Sequence, residues 1–145
     1  MVKKRVLYFS DFFMPGFKAG GPIKSIYSLA KAMNVHYETL IITRDRDFGD
    51  KTNYSGITQN TIIEKYSLNI LYLSHLSFFQ ILHVLRRFNP DIIHLNSYFS
   101  RFTIIIFIIN FFFRISFKII LSPRGELEKN ALSIKWFKKK VFILS

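Results

Sequence analysis

Cysteine is absent from this chain, and its absence removes disulfides, thiolate zinc sites and cysteine nucleophiles together. Carboxylates are scarce: nine Asp and Glu stand against 21 Lys and Arg, a formal net charge of +12. That balance favours polyanionic partners, namely nucleic acid, an anionic membrane face or phosphorylated substrates. A compositional bias towards Lys, Ile, Phe and Asn would produce the same surplus. An apolar run of membrane length is also missing. The longest, Phe102 to Phe113, covers about half a bilayer span and contains Asn110, and extending it to Leu121 brings in Arg114 and Lys118. A buried helix is the expectation there, with membrane contact the lesser alternative. No targeting segment is expected, because Asp11 cuts the apolar run that follows Lys3-Lys4-Arg5 and no small-residue cleavage site comes after it.

What is present is a chain of 145 residues that is half hydrophobic and carries 17 Phe, enough for one domain with a real core and against disorder. The absence of cysteine fits a reducing, cytoplasmic compartment. Val6-Leu7-Tyr8-Phe9 reads as a short strand buried on both faces. Asp11 to Gly20 is a loop broken by Pro15, Gly16 and Gly20. From Ile23, the residues Ile26, Tyr27, Leu29, Ala30 and Met33 recur at helical spacing up to a stop at Asn34.

Thr39 to Thr43 is a second strand. Arg44 to Asn60 is polar with no apolar period and reads as a mobile surface loop. Thr61 to Ile63 and Asn69 to Leu73 are short strands, Phe78 to Phe88 is a helix pattern, and Asp91 to Leu95 is a buried strand. An apolar helix follows from about Arg101 to Ile115, then a strand at Lys118 to Leu121 and a basic amphipathic helix from about Ala131. The alternation predicts an α/β fold, a Rossmann-like parallel sheet with helices on both faces. Ligands in such sheets gather beyond the carboxyl ends of the strands, which singles out the loops Ser10–Gly21, Asn96–Ser100 and Ser122–Lys129.

The first of these loops holds Ala19-Gly20-Gly21-Pro22-Ile23-Lys24-Ser25. Two glycines permit close backbone approach, Pro22 suits the first helical position, and the unpaired amides that follow suit an anion. An ordinary glycine loop before a helix is the plain alternative. A G-x-G-x-x-G dinucleotide fingerprint and a Walker phosphate loop are both absent. Asp45-Arg46-Asp47, with Asp50, reads as a solvated charged loop, since its arginines neutralise the acids, and no metal site is expected. His94, beside Asn96 and Ser97 at a strand end, is placed either to act as a general base or sugar-hydroxyl partner, or to sit satisfied within the core. Arg124-Gly125-Glu126 offers a forked donor and an acid/base at a glycine turn, or an Arg–Glu pair that stabilises it. Lys135, Lys138, Lys139 and Lys140 beside Ile134, Trp136, Phe137 and Val141 form a helix that packs on the sheet and also suits an anionic surface.

Together these elements resemble the N-terminal half of a glycosyltransferase family 4 enzyme of the two-domain GT-B type. The resemblance rests on Val6-Leu7-Tyr8-Phe9 leading to Gly20-Gly21-Pro22-x-x-Ser25, and on Pro90-Asp91-Ile92-Ile93-His94-Leu95-Asn96-Ser97. It rests most of all on Leu121-Ser122-Pro123-Arg124-Gly125-Glu126-Leu127 with Ala131-Leu132 and Lys135. The motifs stand in the family's order and span nearly the whole chain.

The resemblance implies metal-free transfer of a sugar from a nucleotide-sugar donor, a co-substrate rather than a cofactor, to a glycan or lipid-linked acceptor in surface polysaccharide synthesis. It implies substrate-binding roles for Gly20, Gly21, Ser25, His94, Asn96, Ser97, Arg124 and Glu126, with the glycine turn near the donor's diphosphate. Many members carry a histidine after the strand that here ends in Ser122-Pro123-Arg124, so no catalytic residue carries over to that position. Residues 1–145 are expected to be a single Rossmann-like N-terminal domain, with the C-terminal nucleotide-sugar domain and its E-x7-E motif absent. The chain alone is then a fragment or truncated product with little or no transferase activity, which a separate C-terminal polypeptide would complement. A non-catalytic module binding glycan or lipid phosphate, or a basic protein peripheral to the inner face of the cell membrane, are the other readings. Nucleic acid is not an expected partner, because the basic residues are spread along the chain without a recognition motif.

Overall fold

The computed structural model describes residues 3–113 and 115–123. Expectations for Arg124, Gly125, Glu126 and the lysine-rich helix lie outside the described residues.

The chain runs β1 (Arg5–Phe9), α1 (Gly21–Met33), β2 (Glu38–Arg44), β3 (Ile62–Lys65), β4 (Leu68–Leu73), α2 (Phe78–Phe88), β5 (Ile92–Leu95), α3 (Arg101–Phe113) and β6 (Lys118–Leu121). The strands form one sheet in the order β3-β4-β2-β1-β5-β6. Neighbours pair in parallel except β3 and β4, which form an antiparallel hairpin at one edge. The fold class is the expected α/β, Rossmann-like one, with this one departure from an all-parallel sheet. Its cause is local: only Tyr66 and Ser67 separate β3 from β4, both at positive φ, and so tight a connection can join only antiparallel strands.

Two apolar layers sandwich the sheet. Leu7, Phe9, Leu40, Ile42, Leu71, Leu73, Ile93 and Leu95 point to one face, where α2 and α3 lie over them. Val6, Tyr8, Ile41, Ile70 and Tyr72 point to the other, where α1 contributes Ile26 and Ala30. Strands covered on both faces must be apolar at consecutive positions, and β1, β2 and β4 are. The edge strands β3 and β6 alternate between exposed and half-buried residues instead.

The helices end as their sequences dictate. Ser77 caps α2 by accepting from the Gln80 N–H, and Asn89 closes it in the left-handed conformation (φ 46°). Asn34 closes α1. This helix begins one residue earlier than the sequence suggests, so Pro22 is its second residue, still within the turn that has no amide partners to lose.

Two expectations are corrected. The stretch between β2 and β3 is not a mobile surface loop: Asp45, Asp47 and Ile57 are buried, the Tyr54 N–H donates to Asp45 O at 2.7 Å, and the Asn60 N–H donates to Tyr72 O at 2.8 Å. Its polar sequence hides these anchors because they are made by single side chains and backbone groups, without periodicity. Helix α3 is not buried all round. Phe102, Thr103, Ile106 and Ile109 face the sheet, while Ile104, Phe107, Ile108, Phe111, Phe112 and Phe113 are exposed. An outer-layer helix meets the sheet along one side only, whatever its composition.

Candidate functional site

The carboxyl ends of β1, β5 and β6 meet through short backbone contacts. The Asn96 N–H donates to Phe9 O (3.2 Å) and the Ser122 N–H donates to Leu95 O (2.8 Å). Asn96 Nδ2 donates to Phe9 O at 3.1 Å and lies 3.2 Å from His94 Nδ1, while His94 Nε2 lies 3.0 Å from Ser122 Oγ. Since an amide nitrogen can only donate, Nδ1 accepts and the ring proton sits on Nε2, donating to Ser122. His94 is buried and stands edge-on to Tyr8, with ring centroids 5.4 Å apart. The two ring nitrogens thus link the ends of β5 and β6, and Asn96 links them to the end of β1. Ser97 enters through its backbone, with its carbonyl accepting from Thr103 Oγ1 at 2.6 Å in the first turn of α3.

The loop from β1 to α1 is held from the opposite side. Asp47 Oδ2 accepts from the Phe17 N–H (2.8 Å) and the Lys18 N–H (3.1 Å), and its Oδ1 accepts from the Phe48 N–H (2.8 Å). Burial works to raise the Asp47 carboxyl, but these three donors and the Lys18 charge outweigh it and hold the group below its usual value. Tyr54 donates its hydroxyl to Phe13 O at 3.1 Å, and Tyr72 donates to Met14 O. Burial, then nearby carboxylates, pushes the Tyr54 phenol up; burial, then neighbouring tyrosines, does the same to Tyr72. Gly16 fits where it does because a Cβ there would collide with the Tyr54 hydroxyl and come within 2.9 Å of Asp47 Cγ. The Met14–Pro15 peptide bond in this loop is cis.

The loop delivers the glycine turn to the start of α1. Gly20 adopts φ 67° and ψ −127°, a conformation open essentially to glycine alone. Among the described residues no side chain caps the helix, and no acid occupies its first turn, so the positive end of its dipole meets no carboxylate of its own helix. A Cβ built on either Gly20 or Gly21 meets nothing within 4 Å. The open space in front belongs to a cleft of about 660 Å³ lined by Met14, Pro15, Gly16, Phe17, Gly20, Gly21, Ile23, Lys24, Tyr27 and Tyr66. Ser25 lies one residue beyond Lys24 on the exposed side of α1.

The described site residues other than Ser25 therefore fall into two groups. Gly20 and Gly21 line the cleft at the head of α1. His94, Asn96 and Ser97 cluster at the end of β5, and among the described residues they are not part of that cleft's lining. A second cleft of about 600 Å³, between α2 and the β3–β4 hairpin, is lined by Asn60, Gln80, His83 and Arg87 among others and contains none of the predicted residues.

The acids read as a solvated loop are instead structural. Asp47 clamps the loop, and Asp45 is buried and paired with Arg46 at 2.8 Å, whose guanidinium also reaches Ser74 O and Lys51 O. Asp47, Tyr54 and Tyr72 were not legible in the sequence as supports of the glycine turn. The one available signal is the occurrence of Tyr54 and Ile57 in an otherwise polar stretch.

No family model and no curated protein matches this chain. Among solved structures, it is similar to a sucrose-phosphate synthase from Thermosynechococcus elongatus, with a TM-score of 0.56 and 11% sequence identity over 97% of this chain. The chain spans 40% of the length of that protein. At this identity the likeness concerns the fold alone: an α/β, Rossmann-like sheet with helices on both faces.

Proposed function

We propose that this chain is the acceptor-side domain of a GT-B sugar transferase, moving a sugar from a nucleotide-activated donor to a glycan or lipid-linked acceptor in surface polysaccharide synthesis. The observation that carries the reading is the head of α1. It is an uncapped helix N-terminus behind two glycines, open to a cleft and held in place by Asp47, Tyr54 and Tyr72.

Backbone amides and the helix dipole at that position suit the negative charge of a diphosphate, and Lys24 adds a cation to the same cleft. A preorganised loop costs little to order on binding and holds its donors where charge accumulates on the departing nucleotide. On this reading Arg124 and Glu126 contribute to substrate binding, and the donor is held mainly by a second, nucleotide-sugar-binding domain. The nucleotide sugar serves as co-substrate and no further cofactor is required.

The test is a reconstitution. The purified 145-residue chain is titrated with a nucleoside diphosphate while backbone amide shifts are followed, and sugar transfer is then assayed with and without a complementary nucleotide-sugar-binding domain. Shifts centred on Gly20, Gly21 and Lys24, with transfer only in the presence of the second domain, are expected. Transfer by the chain alone would overturn the acceptor-side assignment. Shifts elsewhere, or none, would remove the diphosphate role of the turn.

A further inference from the structure

The outward side of α3 is an apolar stripe with arginines at its ends. Ile104, Phe107, Ile108, Phe111 and Phe112 recur at the spacing that stacks residues on one side of a helix, opposite the buried Phe102, Ile106 and Ile109. Phe111 is 78% exposed and Phe112 71%. Arg101 lies one turn before Ile104 on the same stripe. At the other end, the Arg86 guanidinium of α2 stands 5.5 Å from the Phe113 ring centre, and Phe78 of α2 packs against the same ring. Exposed Phe79, beside Phe78, carries the apolar surface onto α2. Single exposed apolar residues are ordinary, but a contiguous phenylalanine face of this kind marks a surface that is covered in use.

Charge says by what. Helices α2 and α3 carry Arg86, Arg87 and Arg101 and no Asp or Glu. Between Glu64 and Glu126 the one acid in the sequence is Asp91, and its carboxylate accepts from the Arg5 N–H at 2.7 Å. Among the described residues the charges at the rim of this apolar face are cations, and such a face complements a surface that is anionic at its rim and apolar beneath. A second copy of this chain docked face to face would instead bring arginine rims together, a like-charge cost that works against it. At 13 residues, about 20 Å, α3 is too short to cross a bilayer, and no helix among the described residues is long and apolar enough to do so. We propose that the outer face of α3, with the adjoining end of α2, docks on an anionic lipid bilayer. The Phe107, Phe111 and Phe112 rings enter the acyl boundary, and Arg86 and Arg101 lie at headgroup level.

The lack of cysteine makes the test specific, since one introduced cysteine is the sole labelling site. The full chain carrying Phe111→Cys is labelled with an environment-sensitive fluorophore and mixed with phosphatidylcholine vesicles, alone or with roughly one third phosphatidylglycerol. A blue shift with the anionic vesicles is expected, reversed by raising salt towards about 1 M, whereas a label at Lys24→Cys on the opposite sheet face stays unchanged. Phe111→Ser with Phe112→Ser should lower partitioning of the full chain to anionic vesicles by roughly tenfold or more, and Arg86→Glu with Arg101→Glu should weaken its dependence on anionic lipid. Both pairs are exposed, so circular dichroism should report an unchanged fold. A Phe111 label that is blue-shifted in buffer and indifferent to vesicles would overturn the proposal, because the face is then covered by this chain or by a second copy. Light-scattering mass that doubles with concentration and returns to monomer in the serine variant would assign it to a dimer instead and overturn it equally.

Discussion

The Asp47 carboxylate accepts the backbone N–H of Phe17 at 2.8 Å across 30 residues of chain, and with it the N–H of Lys18. One buried side chain from the loop after β2 thereby sets the path of the loop after β1, just before the glycines that open α1. The candidate site depends on an anchor that lies outside it.

Replacing Asp47 by Ala should cost about 2 kcal/mol, the range for a buried charged acceptor whose donors are left unpaired, and should appear as a lower denaturation midpoint. The pH sign follows from the lowered carboxyl. The unfolded chain binds the proton more readily, so this stability is complete above the ordinary carboxylate value of about 4 and is lost as pH falls through and below it. Asp47→Asn should flatten that part of the acid limb in pH-dependent unfolding, and an unchanged limb would count against the clamp.

At the alkaline end the tyrosines act in the opposite sense. Burial raises Tyr8 to about 12 and pushes Tyr54 and Tyr72 up as well, so the folded state keeps its protons where the unfolded chain has released them. Stability from these phenols is complete below about pH 10 and declines as pH rises beyond it. Tyr54→Phe should reduce the slope above pH of about 10 and cost about 1–2 kcal/mol at neutral pH, because Phe13 O loses its donor.

The two glycines of the turn should separate. Gly20→Ala forces a side chain into positive φ and is expected to destabilise by about 2 kcal/mol, measured as a lowered Tm. Gly21 is helical with open space where its Cβ would lie, so Gly21→Ala should leave stability unchanged or raise it by up to about 1 kcal/mol. Nucleoside diphosphate titration of this stable variant should nevertheless show binding weakened by roughly tenfold, since the methyl occupies the approach to the helix end. Equal affinity for both proteins would mean that no ligand comes close to Gly21.

Thr43 is fully buried in β2, and its hydroxyl has no hydrogen-bond partner among the described residues. Valine has nearly the same shape and no polar atom to desolvate. Thr43→Val should therefore stabilise the chain by about 1 kcal/mol in chemical denaturation. A destabilised variant would show that the hydroxyl is satisfied in solution.

Much of this architecture was legible from local pattern. The continuous apolar runs at Val6–Phe9 and Leu40–Ile42 announce strands covered on both faces, and the spacing of Ile23, Ile26 and Ala30 announces a helix with one face inward. Gly20 was legible as a special position because only the side chain it lacks matters there. The His94–Asn96 pair was recognisable as a strand end, but its two readings could be weighed only once Ser122 and Phe9 O stood beside it.

What the sequence by itself determined is the set and order of elements among the described residues, the fold class and the glycine turn that begins α1. Each depends on residues within a few positions of one another and on whether a segment must bury one face or two. Tertiary structure alone decided that Asp47 clamps the loop, that the cleft opens beside Gly21 and away from His94, and that α3 keeps a phenylalanine face outward. Those outcomes depend on which distant groups the sheet order brings together, and on how much of each helix the sheet is wide enough to cover.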